Sequence, residues 1–212
     1  IIGCQSGPVF IESTNERIKY VGRINFEDKF APEIYWSGTS IKINVSGGDV
    51  KVLLKDERGE NYFNIVLDSD SLSYIKLDTA KQWYTLAANL PDGEHTVELV
   101  KRNEWDRGST KFYGFELTGG DLLKTPAGTG RVIEFFGNSI TAGYAIENYT
   151  GGDSPDGIYT NSYSTYGAVT ARHFDADYYG TVRSGIGIMV SWVPDIMPEI
   201  YNRLDPTDPE SV

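Results

Sequence analysis

The segment Gly137-Asn138-Ser139-Ile140-Thr141-Ala142-Gly143-Tyr144 carries the strongest chemical signal in the chain. It follows Arg131-Val132-Ile133-Glu134-Phe135-Phe136, a continuous apolar-rich run that reads as a strand buried on both faces, and it leads into residues able to enter a helix. An α/β sheet places its chemistry at such a point, where the chain leaves the carboxyl end of a strand. Flanking glycines let the backbone turn sharply, and the amides of a following helix N-terminus suit an oxyanion. Two readings fit the spacing. Ser139 is a nucleophile, or Asn138 or Ser139 is an ordinary helix N-cap. The pattern is not a Gly-x-Ser-x-Gly elbow, because Gly137 precedes the serine by two positions and Gly143 follows it by four.

A nucleophilic serine needs a general base, and the sequence contains His95 and His173 as its 2 histidines. His95 shares the alternation phase of Val97 and Leu99, which points it into a strand-built core. His173 falls near the end of a helix expected over Tyr163–Phe174. About 12 residues at 1.5 Å carry the chain roughly 18 Å from the catalytic edge, so neither histidine suits Ser139. Asp68-Ser69-Asp70 and Asp153-Ser154-Pro155-Asp156-Gly157 are oxygen-rich but lack the spacing of a twelve-residue calcium loop, so they read as solvated turns and no metal site is expected. Trp36, Trp83 and Trp105 are expected chiefly in a sandwich core, with sugar stacking as the other use, and Trp192 is a candidate to line an ester-binding cleft.

The elements that position these residues fall into two halves. From about Ile18 to Leu117, period-two alternation recurs (Ile41, Ile43, Val45; Val50, Val52, Leu54; Val97, Leu99) between Gly, Asp, Asn and Pro clusters. About eight antiparallel strands are expected, a jelly-roll-like β-sandwich over 18–120. Breakers at Gly119-Gly120-Asp121 and Thr125-Pro126-Ala127-Gly128-Thr129-Gly130 mark a boundary. Over 131–212 the order strand, helix, strand (Ala176–Val182) is a βαβ unit, the first part of a three-layer α/β domain with a parallel sheet. A further helix is expected within Met189–Leu204, interrupted by Pro194 and Pro198. Two parallel strands cannot cover themselves, so the domain is expected to continue by about 130 residues.

Composition narrows the partners. With 19 basic and 30 acidic residues the net charge is -11, which repels a phosphate backbone and argues against nucleic acid. No apolar run is long enough to span a bilayer. Phe, Tyr and Trp make up 13% of the residues, which favours strands and flat surfaces of the kind sugars stack on. Cys4 is the 1 cysteine, so it has no partner for a disulfide within the chain. Ile1-Ile2-Gly3-Cys4 resembles the end of a bacterial lipoprotein signal peptide, with the cysteine lipidated. Residues 1–17 are therefore assigned to a signal remnant and linker, and an extracytoplasmic location at the periplasm or cell surface, with membrane contact only through the Cys4 anchor, is expected.

GNSITAGY after an apolar strand resembles the first block of the SGNH (GDSL-type) esterases. The wider chain resembles carbohydrate esterase family 2, in which a small β-sandwich precedes an SGNH hydrolase domain. The same order is kept by Gly93-Glu94-His95-Thr96-Val97-Glu98-Leu99-Val100-Lys101-Arg102, by Tyr163-Ser164-Thr165-Tyr166-Gly167-Ala168-Val169-Thr170-Ala171-Arg172 and by Ser184-Gly185-Ile186-Gly187. The resemblance implies removal of acetyl groups from xylan or glucomannan, an acetyl xylan esterase activity without metal or organic cofactor. It implies Ser139 as nucleophile, with its own amide as one oxyanion donor and Gly185 as the second; Gly187 stays open as the alternative. Asn138 stands where the commonest block has Asp. The family's third oxyanion donor and catalytic His belong to later blocks, expected beyond Val212. The other function class is a carbohydrate-binding protein whose hydrolase half is incomplete or inactive.

Overall fold

The computed structural model describes residues 7–128 and 130–211. Cys4, and with it the lipid-anchor expectation, lies outside them. Eleven strands, where about eight are expected, build the first half: β1 (Val9–Glu12), β2 (Lys19–Val21), β3 (Ile24–Asn25), β4 (Glu33–Ile34), β5 (Ser40–Val45), β6 (Gly48–Asp56), β7 (Tyr62–Leu67), β8 (Ser71–Lys76), β9 (Gln82–Leu90), β10 (His95–Lys101) and β11 (Thr110–Thr118). They form two antiparallel sheets, one ordered β3-β4-β11-β6-β9 with β1 also on β11, the other β2-β5-β10-β7-β8. The excess comes from two-residue strands and from β8, whose SLSYIK carries too little alternation to read as a strand. β1 falls in the stretch before Ile18 expected to be linker; its backbone pairs with β11 from Val9↔Leu117 to Glu12↔Gly114.

The alternation is realised as burial. Ile41, Ile43, Val45, Val50, Val52, Leu54, Val97 and Leu99 all have no exposed surface and pack with Phe63, Phe112 and Phe115 between the sheets. Burying each such side chain contributes about 1.5–3 kcal/mol, which fixes the register of β5, β6 and β10. None of the four tryptophans belongs to this cluster. Trp36 is fully buried, but against Ile186, Met197 and Ile200 of the second half. Trp83 meets Phe10 in a T-shaped pair with ring centroids 5.9 Å apart.

His95 also departs from the core reading. It has the inward phase but stands at the first residue of β10, where the sandwich opens, and its Nδ1 meets Asp68 Oδ2 at 2.8 Å. The Asp68 hydrogen bond raises the imidazole pKa. Partial burial pulls Asp68 up, but the bonds from His95 and the Thr96 amide outweigh it and hold the carboxyl low. The raised histidine contributes stability below its unfolded pKa near 6.5, lost as pH rises through the folded value; the lowered aspartate contributes above 3.8, lost as pH falls. The pair therefore stabilises most between those two values. In urea titrations, His95→Gln is expected to lower the midpoint more at pH 5.5 than at pH 8; an equal loss at both contradicts the assignment.

The second half contains β12 (Val132–Gly137), α1 (Ser139–Ala142), α2 (Tyr166–His173), β13 (Asp177–Val182) and α3 (Met197–Ile200). β12 and β13 pair in parallel from Val132↔Asp177 to Gly137↔Val182, as the βαβ reading expects. β12 is not buried on both faces: Phe135 packs between Tyr166 and Tyr178, while Val132 and Phe136 are 59% and 48% exposed. Only one of its faces is covered by α2, and β13 is its one strand partner among the described residues. The helix expected over Met189–Leu204 shrinks to the single turn of α3. Pro194 and Pro198 cannot supply the N–H groups a longer helix needs.

The halves are joined by a buried polar network. Arg102 of the sandwich, 2% exposed, donates to Asn64 Oδ1 at 3.0 Å, to the Ile158 carbonyl at 2.8 Å and to the Glu147 carboxylate. Asn161, fully buried, donates to Glu147 at 2.6 Å and accepts from Asn64 at 2.8 Å. Ser162 N–H and Oγ–H bond the carbonyls of Arg102 and Lys101. Along the parallel strands Lys19 pairs with Asp177, the first residue of β13, at 2.7 Å and Arg23 with Glu134 of β12 at 2.8 Å.

Candidate active site

Asn138, in extended backbone, is the residue that caps α1: its Oδ1 accepts the Ile140 N–H at 3.1 Å. Ser139 is thereby the first helical residue, and its hydroxyl makes no hydrogen bond to any described residue. Of the two caps the spacing allows, the asparagine takes the work. Its neutral carboxamide oxygen suffices for the bond, so the Asp of the commoner block is not needed here.

The turn closes through Gly143. Its left-handed φ of 82° ends α1, its N–H donates to Ser139 O at 3.0 Å, and a Cβ there would lie 2.5 Å from the Asn161 carbonyl. Any side chain would be strained both in φ and in space. Thr141 points inward, its Oγ1 3.0 Å from the Tyr166 hydroxyl at the start of α2. The serine turn is thus held between β12, α2 and the Asn161 segment.

The Arg183–Gly187 loop stands beside it by topology. Because Gly137 pairs with Val182 in parallel register, the chain leaves both strands at one sheet edge, and the Arg183 N–H still bonds the Gly137 carbonyl at 3.1 Å. Gly185 adopts a φ of 79°, accepts the Trp192 N–H at 2.8 Å through its carbonyl, and has an N–H without a partner among the described residues. The Gly187 N–H is occupied, donating to Ser191 Oγ at 2.9 Å. Between the two glycines the sequence leaves open, Gly185 is the one with an amide to offer. Beyond it Ile188, Met189, Val190 and Trp192 are exposed by 73% to 96%, an apolar lip next to the serine edge.

The sandwich reaches this edge too. Glu104, 6% exposed, accepts the Ser184 N–H at 3.0 Å through Oε2 and the Ser184 hydroxyl through Oε1. Burial pushes its carboxyl pKa up against those two donors. The guanidinium of Arg183 lies 4.0 Å over the Trp105 ring and pairs with Asp195 at 2.6 Å. A cleft of about 230 Å³ bounded by Trp105, Asp106, Tyr144, Asp153, Ser184 and Val193 runs between the two halves.

Neither histidine joins Ser139. His95 is bound to Asp68 and to the Pro91 carbonyl in the sandwich. His173 is the last residue of α2, whose first residue is the one near the serine turn, so eight residues of helix place it about 12 Å away at the opposite end. Asp153 and Asp156 are loop staples: Asp153 accepts from Ser154 N, Tyr159 N and Thr160 Oγ, and Asp156 accepts the Tyr62 hydroxyl at 2.6 Å. The roles of Glu104 and Asn161 are absent from the sequence reading, since their partners lie far along the chain.

Fold and site define a class: an antiparallel sandwich packed against a parallel α/β unit that carries a serine and free amides at the carboxyl edge of its strands. The carbohydrate esterase 2 N-terminal family profile matches residues 20–126, half of the chain. The chain belongs to carbohydrate esterase family 2. It is 34% identical over 200 residues to the cellulase/esterase CelE of Acetivibrio thermocellus, covering 94% of this chain and 24% of that protein. It is 28% identical over 182 residues to an acetylxylan esterase / glucomannan deacetylase of Cellvibrio japonicus, covering 86% of this chain and 51% of that one. Among solved structures, a family two carbohydrate esterase from Cellvibrio japonicus superposes with a TM-score of 0.85 at 27% identity over 93% of this chain and 60% of its own. One from Clostridium thermocellum in complex with cellohexaose gives 0.82 at 32% identity, over 89% and 59%. The chain therefore spans about a quarter to a half of these curated relatives and about 60% of the solved chains.

Proposed function

We propose that this chain supplies the nucleophile and two oxyanion donors of an SGNH-type serine esterase that removes O-acetyl groups from plant cell-wall polysaccharide. The observation that carries the reading is the division of labour at α1: Asn138 does the capping, and Ser139 keeps a hydroxyl free at the same edge as the unpaired Gly185 amide. The kinship with acetylxylan esterase / glucomannan deacetylase supports the substrate class.

In this reading Ser139 Oγ attacks the acetyl carbonyl as a general base takes its proton. The carbonyl oxygen becomes an oxyanion facing the amides of Ser139 and Gly185, the sugar hydroxyl leaves with the proton, and water then hydrolyses the acyl-serine. The base lies outside residues 7–211, because His95 and His173 are held elsewhere. Trp192 and the apolar lip stand where the sugar enters. An extracytoplasmic site of action, anchored through a lipidated Cys4, belongs to the same proposal. The test is acetate release by the full-length protein from acetylated xylan and acetylated glucomannan. Release that depends on Ser139 is expected; binding to either polymer without release would favour the carbohydrate-binding alternative.

A further inference from the structure

We infer that Glu104, a sandwich residue, is a positioning residue for the oxyanion loop of the second half; this rests on the esterase reading. The geometry is a two-point clamp. The carboxylate bonds both the N–H and the hydroxyl of Ser184, the residue immediately before Gly185. Hydrogen bonds to an ionised acceptor are about twice as strong as neutral ones. With 6% exposure, water competes little for this one.

Glu104 is itself fixed from beneath. The fully buried Lys101 ammonium donates to the Glu104 carbonyl at 2.9 Å, to Asn103 O at 3.3 Å and to Asn61 Oδ1. Burial lowers that lysine pKa to about 8. Glu104 precedes the short 3-10 turn Trp105–Arg107 yet makes no side-chain cap to it, so its carboxylate is directed across the interface instead. On the far side Gly185 O is held by Trp192 N–H at 2.8 Å and Arg183 O by Ile186 N–H at 3.2 Å. Gly185 thus sits in its left-handed conformation between a clamp from the sandwich and a turn of its own loop, with its N–H unpaired among the described residues.

An oxyanion donor is useful only if it is already in place as charge develops, and losing one costs about 10²–10³-fold in kcat. Glu104→Ala frees Ser184 and lets the Gly185 amide wander. Glu104→Gln can keep both contacts, its carbonyl accepting the Ser184 N–H and its amide donating to Ser184 Oγ.

The experiment compares full-length wild type, Glu104→Ala, Glu104→Gln and Ser139→Ala on para-nitrophenyl acetate, with circular dichroism for folding and the amide resonances of Ser184 and Gly185 for geometry. The inference expects Glu104→Ala to remain folded, to move both resonances, and to lose about 10- to 100-fold in kcat with KM changed less than about twofold. Glu104→Gln should stay within a few fold of wild type. Undiminished kcat in Glu104→Ala, or a loss confined to KM or to the folded fraction, or a Gln variant as impaired as the Ala variant, overturns the positioning role. Ser139→Ala separates the two claims. If it is inactive while Glu104→Ala is fully active, only the clamp fails; if it is as active as wild type, the esterase reading fails and the clamp with it.

Discussion

Replacing Ser139 by alanine is expected to lower ester hydrolysis by the full-length protein at least about 10³-fold, with substrate affinity largely kept. The magnitude follows from the chemistry: the other hydroxyls near this edge of the parallel strands are occupied, and that of Ser184 is held by the Glu104 carboxylate. Thr141, the next hydroxyl in the turn, points inward to Tyr166 and cannot substitute. Since Ser139 is half-buried and its side chain bonds no described residue, removing the oxygen should leave stability within about 0.5 kcal/mol of wild type. Loss of activity without loss of fold is the signature sought.

The largest stability effect is expected at Arg102→Ala. Its guanidinium is 2% exposed and satisfies Asn64, Ile158 and Glu147 at once, while packing 4.7 Å from the Tyr74 ring. Deleting it leaves the Glu147 carboxylate with the Asn161 amide as its remaining side-chain donor and strips Asn64 of a partner. Breaking a buried charge pair from one side costs about 3–5 kcal/mol, which for a protein of this size shifts Tm by about 10 °C. Because the network is one of the main contacts between the sandwich and the α/β unit, the thermal transition should also broaden or split. Calorimetry reads both; a single sharp transition with a shift under about 2 °C would contradict the account.

The sequence makes the sandwich core visible because two-residue alternation and burial are the same fact: Ile41, Ile43, Val45, Val50, Val52 and Leu54 follow the pattern and all are fully buried. The serine turn is visible for a similar local reason, since strand, glycine, cap and helix follow one another without a gap. What the pattern misreads is informative. His95 has the inward phase but lies at the sheet's mouth, where an aspartate reaches it. Phe136 belongs to an apolar run yet is half exposed, because burial of a strand depends on neighbours that its own residues do not specify. Trp36 is core as expected, but of the interface rather than of the sandwich.

The contacts that join the halves leave no periodic trace. Arg102 finds Glu147 at a separation of 45 residues, Asn64 finds Asn161 at 97, and Glu104 finds Ser184 at 80. Each is a polar residue that single-sequence reasoning assigns to the surface, and each is buried or nearly so because its partner arrives from the other half. The interface, and with it the contribution of the sandwich to the site, becomes legible only when the chain is folded.

The most direct test of the central claim is covalent capture. An alkyl fluorophosphonate reacts with an activated serine as the hydroxyl oxygen bonds phosphorus, fluoride departs and the base takes the proton. Peptide mass spectrometry of the full-length protein after stoichiometric labelling locates the adduct. The account predicts one adduct, on Ser139, formed in step with loss of acetate-releasing activity and absent from Ser139→Ala. Complete inactivation with the label on another residue would contradict it.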